Sequence, residues 1–149
     1  DGNIILEAES RNIGSVALPG KFYEKMRNSK FIFVEANIDT RVENIANEYI
    51  KVPLNEGISK ISLLSAYQLA LEKIHKRLGP HYYVMIQDKM KEAFGSGKES
   101  HKLWIRLLLE NYYDKLYKHK LDEISKQIIF SSDWSSCKNF LENIDNTLS

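Results

Sequence analysis

One cysteine, Cys137, stands alone in 149 residues. No internal disulfide framework can form, so a packed core must hold the fold, and the composition suits a reducing cytosol. No apolar run approaches the roughly 18 residues that cross a membrane, and the start has no signal-peptide pattern. Charge of one sign is lacking too. Lys and Arg total 21 against 20 Asp and Glu, leaving a net charge of +1. No global basic field announces nucleic acid, and any basic surface must be local. His75, His81, His101 and His119 show no metal-ligand spacing, so no metal site is assigned. No Ser-His-Asp or Cys-His arrangement can be argued, and repeats and low-complexity segments are absent.

What is present is ordinary for a globular chain: 43% hydrophobic and 28% charged residues. The length suggests one domain, enough to bury roughly 70% of the unfolded surface. Asp1-Gly2-Asn3 leads straight into Ile4-Ile5-Leu6 with no initiator Met, so the expectation is a single domain or a fragment over 1–149.

The runs at 3–8 and 31–36 are short and continuously apolar, the pattern of strands buried on both faces of a parallel sheet. Pro19 suits the first turn of a helix between them. Residues 1–36 therefore read as a right-handed βαβ portion. Asn37 or Asp39 can cap a helix with Ile38, Val42, Ile45 and Tyr49 on one stripe. Pro53, Asn55 and Gly57 mark a loop. Ile61, Leu64, Tyr67, Leu71, Ile74 and Leu78 recur at helical spacing until Gly79-Pro80 stops them. A further helix covers about 81–94, and another runs unbroken from Glu99 to about Ile124. Residues 37–125 form the helical portion. The segment 126–149 supplies a last strand (127–132) and a terminal helix capped by Asp133, with Cys137 on its apolar stripe. The fold class is α/β and helix-dominant: a partial P-loop-like parallel sheet of about three short strands with a large helical part.

Residues 94–100, FGSGKES, contain a Gly-Ser-Gly-Lys that invites a phosphate-loop reading. The motif G-x-x-x-x-G-K-[ST] follows a strand and opens a helix. Here its first glycine falls on Glu92 and its magnesium hydroxyl on Glu99, and the preceding segment reads as helix. Backbone cradle and metal hydroxyl are both missing, so the stretch is a helix-to-helix linker.

The run ILEAESRNIG, residues 5–14, places Glu7, Glu9, Ser10 and Arg11 at the end of a buried strand. Ligands of open α/β sheets bind at such ends. A carboxylate there can hold magnesium or take a proton, and an arginine can fork onto phosphate. An ion pair that merely ends the strand fits equally. Arg41, early in the helix after the second strand, can reach a phosphate or satisfy a neighbouring carboxylate. Lys73, Lys76 and Arg77 share one polar face, as do Lys115, Lys118 and Lys120, with Tyr113 and Tyr117 interleaved. Cations with aromatics are what an RNA backbone and its splayed bases need. A solvated helix face is the plainer reading of the same residues.

The segment LEAESRNIGSVALPGKFYEKMRNSKFIFVEANIDTRVENIANEYI resembles the P-loop domain of the bacterial tRNA 2-selenouridine synthases. That family carries E-x-E-S-R-x-I-G-x-x-x-L-P, an apolar strand, then R-hydrophobic-x-x-hydrophobic-x-x-E-Y. Here these fall on Glu7, Glu9, Ser10, Arg11, Ile13, Gly14, Leu18 and Pro19, then on Arg41, Val42, Ile45, Glu48 and Tyr49. The strings at 74–79, 107–121 and 128–134 resemble the family in the same order.

The resemblance implies an enzyme that converts wobble 2-thiouridine of tRNA to 2-selenouridine through a geranylated intermediate, using geranyl diphosphate and selenophosphate. Glu7, Glu9, Ser10, Arg11 and Arg41 would serve a phosphate, diphosphate or magnesium site, and the basic helices would meet tRNA. The family's rhodanese-like domain and phosphate loop are not in these residues. The implied reading is a C-terminal part, inactive alone and cytoplasmic, whose missing N-terminal parts are its partners and whose open sheet edge invites association. The strands at 3–8 and 31–36 would then pair directly, or another chain would fill the gap between them. Two other readings stay in view: a non-catalytic helical module that binds RNA or protein, and a P-loop small-molecule kinase or nucleotide-binding piece. The latter needs the loop that is absent.

Overall fold

The computed structural model describes residues 4–8, 11–13, 15–96 and 100–147. In chain order its elements are β1 (Asn12–Ile13), β2 (Val16–Ala17), α1 (Gly20–Arg27), β3 (Phe31–Val34), α2 (Ile38–Ala46), α3 (Val52–Asn55), α4 (Lys60–Leu78), α5 (Pro80–Ser96), α6 (Lys102–Leu108), α7 (Asp114–Ile124), β4 (Ile128–Ser132) and α8 (Trp134–Thr147). Two five-residue π turns, Asn47–Lys51 and Leu109–Tyr113, join α2 to α3 and α6 to α7 without breaking the helices. The chain divides into two units: residues 36–122, and residues 1–35 with 123–149.

The helical unit begins where Asn37 accepts the N–H of Thr40 at 2.8 Å and so caps α2. Val42, Ala46 and Ile50 are buried at successive turns. Pro53 accounts for the π turn between them. It has no N–H for the carbonyl of Tyr49, four residues earlier, and its ring would collide with that oxygen in a regular helix. Ser59 caps α4 through the N–H of Ser62, at 3.1 Å. Gly79, at a φ of 85°, ends α4 in a conformation open to few other residues. Pro80 then opens α5, where its missing N–H costs nothing. Leu63, Leu71, Ile86, Met90, Phe94, Trp104, Ile105 and Leu109 complete the core. Removing one such side chain from water is worth roughly 1.5–3 kcal/mol.

In the other unit β3 pairs with β4 in parallel, with a register shift between Phe31 and Ile32. The N–H of Glu35 donates to the carbonyl of Ser132 at 2.8 Å and extends the pair. Asp133 caps α8, accepting the N–H of Ser136 at 3.1 Å and its hydroxyl at 2.8 Å. The Ser136 hydroxyl, and then its N–H, hold the Asp133 carboxyl below its ordinary pKa. Cys137 is buried, with its sulfur 3.3 Å from the carbonyl of Ser132. Phe130 and Phe140 stack face to face, with centroids 4.4 Å apart.

Two expectations are corrected. The strand expected over 3–8 does not form in its described part: residues 4–8 have no regular structure, and Ile4 and Ile5 stand 84% and 64% exposed. An apolar run becomes a strand only when a partner fills its ladder, and β3 takes its partner from 128–132 instead of from 3–8. Among the described residues the parallel sheet therefore has two strands, and the small pair β1–β2 is antiparallel. The class stands: α/β, helix-dominant, with a short parallel sheet.

Candidate functional site

The helical unit encloses a cleft of about 720 Å³. Its depth is apolar, lined by Leu71, Ile74, Met90, Trp104, Ile105 and Leu109. Its polar lining comes from Arg41, Asn44 and Glu48 and from four tyrosines, Tyr49, Tyr67, Tyr113 and Tyr117. Both π turns contribute: Glu48 and Tyr49 from the first, Leu109 and Tyr113 from the second. A π turn widens a helix and re-aims side chains, a distortion that recurs at functional sites.

Hydrogen bonds hold this arrangement. The Tyr67 hydroxyl donates to the carbonyl of Tyr49 at 2.5 Å, supplying the donor that Pro53 lacks. Burial raises the pKa of Tyr67, with the neighbouring Tyr49 adding to it. Burial likewise raises that of Tyr113, so both phenols stay protonated and able to donate at neutral pH. Tyr113 stacks near-parallel on Tyr117, with centroids 6.4 Å apart and planes 24° apart.

Ion pairs tie α2 to the helices opposite. Arg41 donates to Asp114, and Arg106 to Asp39. Glu43 meets Lys102 and also Lys51, the latter at 3.3 Å, and these contacts, Lys102 first, hold its carboxyl below the ordinary pKa. Such exposed pairs add little stability singly.

The sequence-derived residues fall in separate places. Arg41 lines the cleft, and its guanidinium is paired to Asp114. Glu7 and Arg11 are exposed and belong to the other unit. Glu9 and Ser10 lie outside the described residues. Lys73, Lys76 and Arg77 are exposed on the last turns of α4, and Lys115, Lys118 and Lys120 are exposed on α7. Aromatics of α5 pack against both helices. Tyr83 packs on His75 with centroids 4.3 Å apart, and the Lys115 ammonium lies 5.7 Å from the ring of its neighbour Tyr82. Among the described residues no cluster of three or more His, Cys, Asp and Glu side chains could hold a metal, and no helix is long and apolar enough to cross a membrane.

Sequence reasoning placed Tyr49 and Tyr67 on packing stripes and did not join them into a cleft. The available signal was Pro53, which four residues after Tyr49 forecasts a carbonyl in need of a donor.

Fold and cleft define a helix-dominant α/β domain with an amphipathic cleft in its helical unit. The chain belongs to the family described as the tRNA 2-selenouridine synthase AAA domain, whose model matches residues 1–147. It is 29% identical over 153 residues to the tRNA 2-selenouridine synthase of Shewanella oneidensis, covering 95% of this chain and 41% of that protein. The enzyme of the same description from Shewanella sp. strain ANA-3 is 31% identical, over 94% of this chain and 42% of its own length. That from Hydrogenovibrio crunogenus is 29% identical, over 93% and 40%. The chain thus spans about two-fifths of the curated relatives it matches. No solved structure matches it significantly.

Proposed function

We propose that this domain works within a tRNA-modifying transferase that replaces the sulfur of wobble 2-thiouridine by selenium through a geranylated intermediate. The observation that carries the reading is the family match over residues 1–147, and the cleft supports it. A volume of about 720 Å³ falls in the roughly 300–1,000 Å³ range of small-molecule sites, which pair apolar walls with a few placed polar groups. Its depth suits a branched hydrocarbon chain such as the geranyl group. Arg41 suits the diphosphate, exchanging the Asp114 carboxylate for phosphate oxygens that a guanidinium can take in a fork.

Glu7, Glu9, Ser10 and Arg11 are proposed to serve the phosphate chemistry of geranyl diphosphate or selenophosphate. The carboxylates would hold magnesium, a hard cation that takes oxygen ligands. The exposed cations of α4 and α7, namely Lys73, Lys76, Arg77, Lys115, Lys118 and Lys120, are proposed to meet the tRNA backbone. The full reaction needs the rest of the longer enzyme, so residues 1–149 alone are expected to bind and not to turn over. A tRNA substrate would suit a cytoplasmic protein.

The test is a titration with a tRNA bearing wobble 2-thiouridine at low and moderate salt. Saturable binding that weakens with salt, and is lost when Lys76, Arg77 and Lys118 are changed to glutamate, supports the reading. Equal binding by that triple variant removes RNA from the helical unit.

A further inference from the structure

Beyond backbone contacts, the rim of the cleft carries a feature of its own. Tyr117 is 52% exposed and Tyr49 is 50% exposed, yet both line the same cleft. Tyr113 lines the cleft with them. Tyr113 supports Tyr117 from beneath by near-parallel stacking. A large aromatic ring braced by a second ring and still half open to water is an unusual use of surface. Leucine or lysine would cover α7 as well.

The Lys120 ammonium sits 5.6 Å from the centroid of the Tyr117 ring. That ring face is therefore held by a single cation that a stronger partner can displace. An exposed cation–π contact is weak, whereas a base stacked on an aromatic side chain is held more firmly and independently of base identity. Lys118, on the same helix, is exposed and takes part in no ion pair among the described residues.

Building on the reading that RNA is the substrate, we propose that the cleft rim is a nucleobase-stacking site. An unpaired base of the RNA lies on the face of Tyr117 now under Lys120. It displaces the Lys120 ammonium, which swings with Lys118 onto the adjoining phosphates. The site thereby selects an unstacked, single-stranded nucleotide over a duplex, because a paired base keeps both faces covered by its neighbours. Tyr117 stands at the cleft itself, so the stacked nucleotide is delivered to the mouth of the apolar chamber.

The test uses the full 149-residue chain and two fluorescently labelled RNAs, a single-stranded uridine-rich decamer and a blunt duplex of equal length, titrated at several salt concentrations. Wild type is expected to prefer the single strand. Tyr117→Ala is expected to weaken single-strand binding about 10-fold with the salt slope unchanged, because a stack carries no counterions. Tyr117→Phe is expected to retain binding, and Tyr117→Leu to lose it, since leucine keeps the apolar surface without the π face. Lys118→Ala with Lys120→Ala is expected to reduce the salt slope.

Unchanged binding by Tyr117→Ala, with the charge-reversed triple variant inactive, overturns the stacking site and leaves the proposed function standing. Equal loss in Tyr117→Phe and Tyr117→Ala overturns it also, by assigning the effect to the hydroxyl. Failure of wild type to bind either RNA overturns the stacking site, and the proposed function then rests on the tRNA titration alone.

Discussion

The hydroxyl of Tyr67 donates to the carbonyl of Tyr49, four residues before Pro53, whose ring carries no N–H. A defect in one helix is thus completed by a side chain from another, and the wall of the cleft is set by the match. Tyr67→Phe removes the donor and little else. The expected loss is about 1 kcal/mol of stability, typical of one hydrogen bond, read as a lower denaturation midpoint with an unchanged denaturant slope. A second change, Pro53→Ala, restores an N–H at the right position and should make Tyr67→Phe cheaper. Additive effects of the two changes would refute the coupling.

Arg41 and Asp114 form an ion pair with each side chain about one-third exposed. A double-mutant cycle with Arg41→Ala and Asp114→Ala should give a coupling of roughly 0.5–1 kcal/mol, in the range of partly exposed pairs. Because the proposed diphosphate competes for the same guanidinium, Asp114→Asn should tighten binding of geranyl diphosphate while Arg41→Ala weakens it. Isothermal titration separates the two, and a weakened Asp114→Asn would exclude the exchange.

His101 supplies a pH dependence whose sign is fixed by geometry. The indole N–H of Trp104 donates to its Nδ1 at 3.2 Å, so that nitrogen must be unprotonated in the fold. Burial first, and the charge of Lys60 second, lower its pKa from the usual 6.5. A lowered value means that the unfolded chain binds the proton more readily. The associated stability is present above pH 6.5 and is lost as the pH falls through the lowered value. Thermal melts at pH 7.5 and pH 5.5 should differ in wild type and differ less in His101→Gln, which keeps an acceptor without titrating. Parallel shifts in both proteins would assign the dependence to other groups.

Cys137 is 1% exposed and sits against the carbonyls of Ser132 and Phe33. A thiol so covered reacts only when its surroundings open. Alkylation should be slow in the folded protein and rapid in denaturant. Rapid alkylation under native conditions would show that α8 lifts easily from β3 and β4.

Local signals carried most of the architecture. Asn37, Ser59 and Asp133 each cap the helix that follows, through a short hydrogen bond within their own turn. Gly79-Pro80 marks a helix junction that depends on two residues alone. The failure at 3–8 has the opposite cause. Whether Ile4, Ile5 and Leu6 become a strand depends on what pairs with them, and β3 found its partner in 128–132. The hairpin β1–β2 escaped notice although Ile13 and Val16 flank a Gly-Ser step, a short-range turn signal. The cleft was half legible. Its stripes were visible as helical periodicity, but periodicity does not tell a filled seam from an open one. Arg41 was singled out, whereas its partner Asp114, 73 residues on, had no local mark.

The pairing of β3 with β4 also sets an order of events in time. The helical unit is contiguous, residues 36–122, whereas its neighbour is stitched from the two sides of it. Closing a long loop costs entropy before any strand contact repays it, and local helical contacts form faster. On a ribosome, Phe31–Val34 emerges early and must wait unpaired until Ile128–Ser132 has been made. We expect amides of 36–122 to gain protection first in pulse-labelled refolding and those of β3 to gain it last. Simultaneous protection would mean that the two units assemble as one. During that wait an apolar strand is displayed without its ladder, so the yield of native protein should depend on chain concentration and on how quickly synthesis reaches β4.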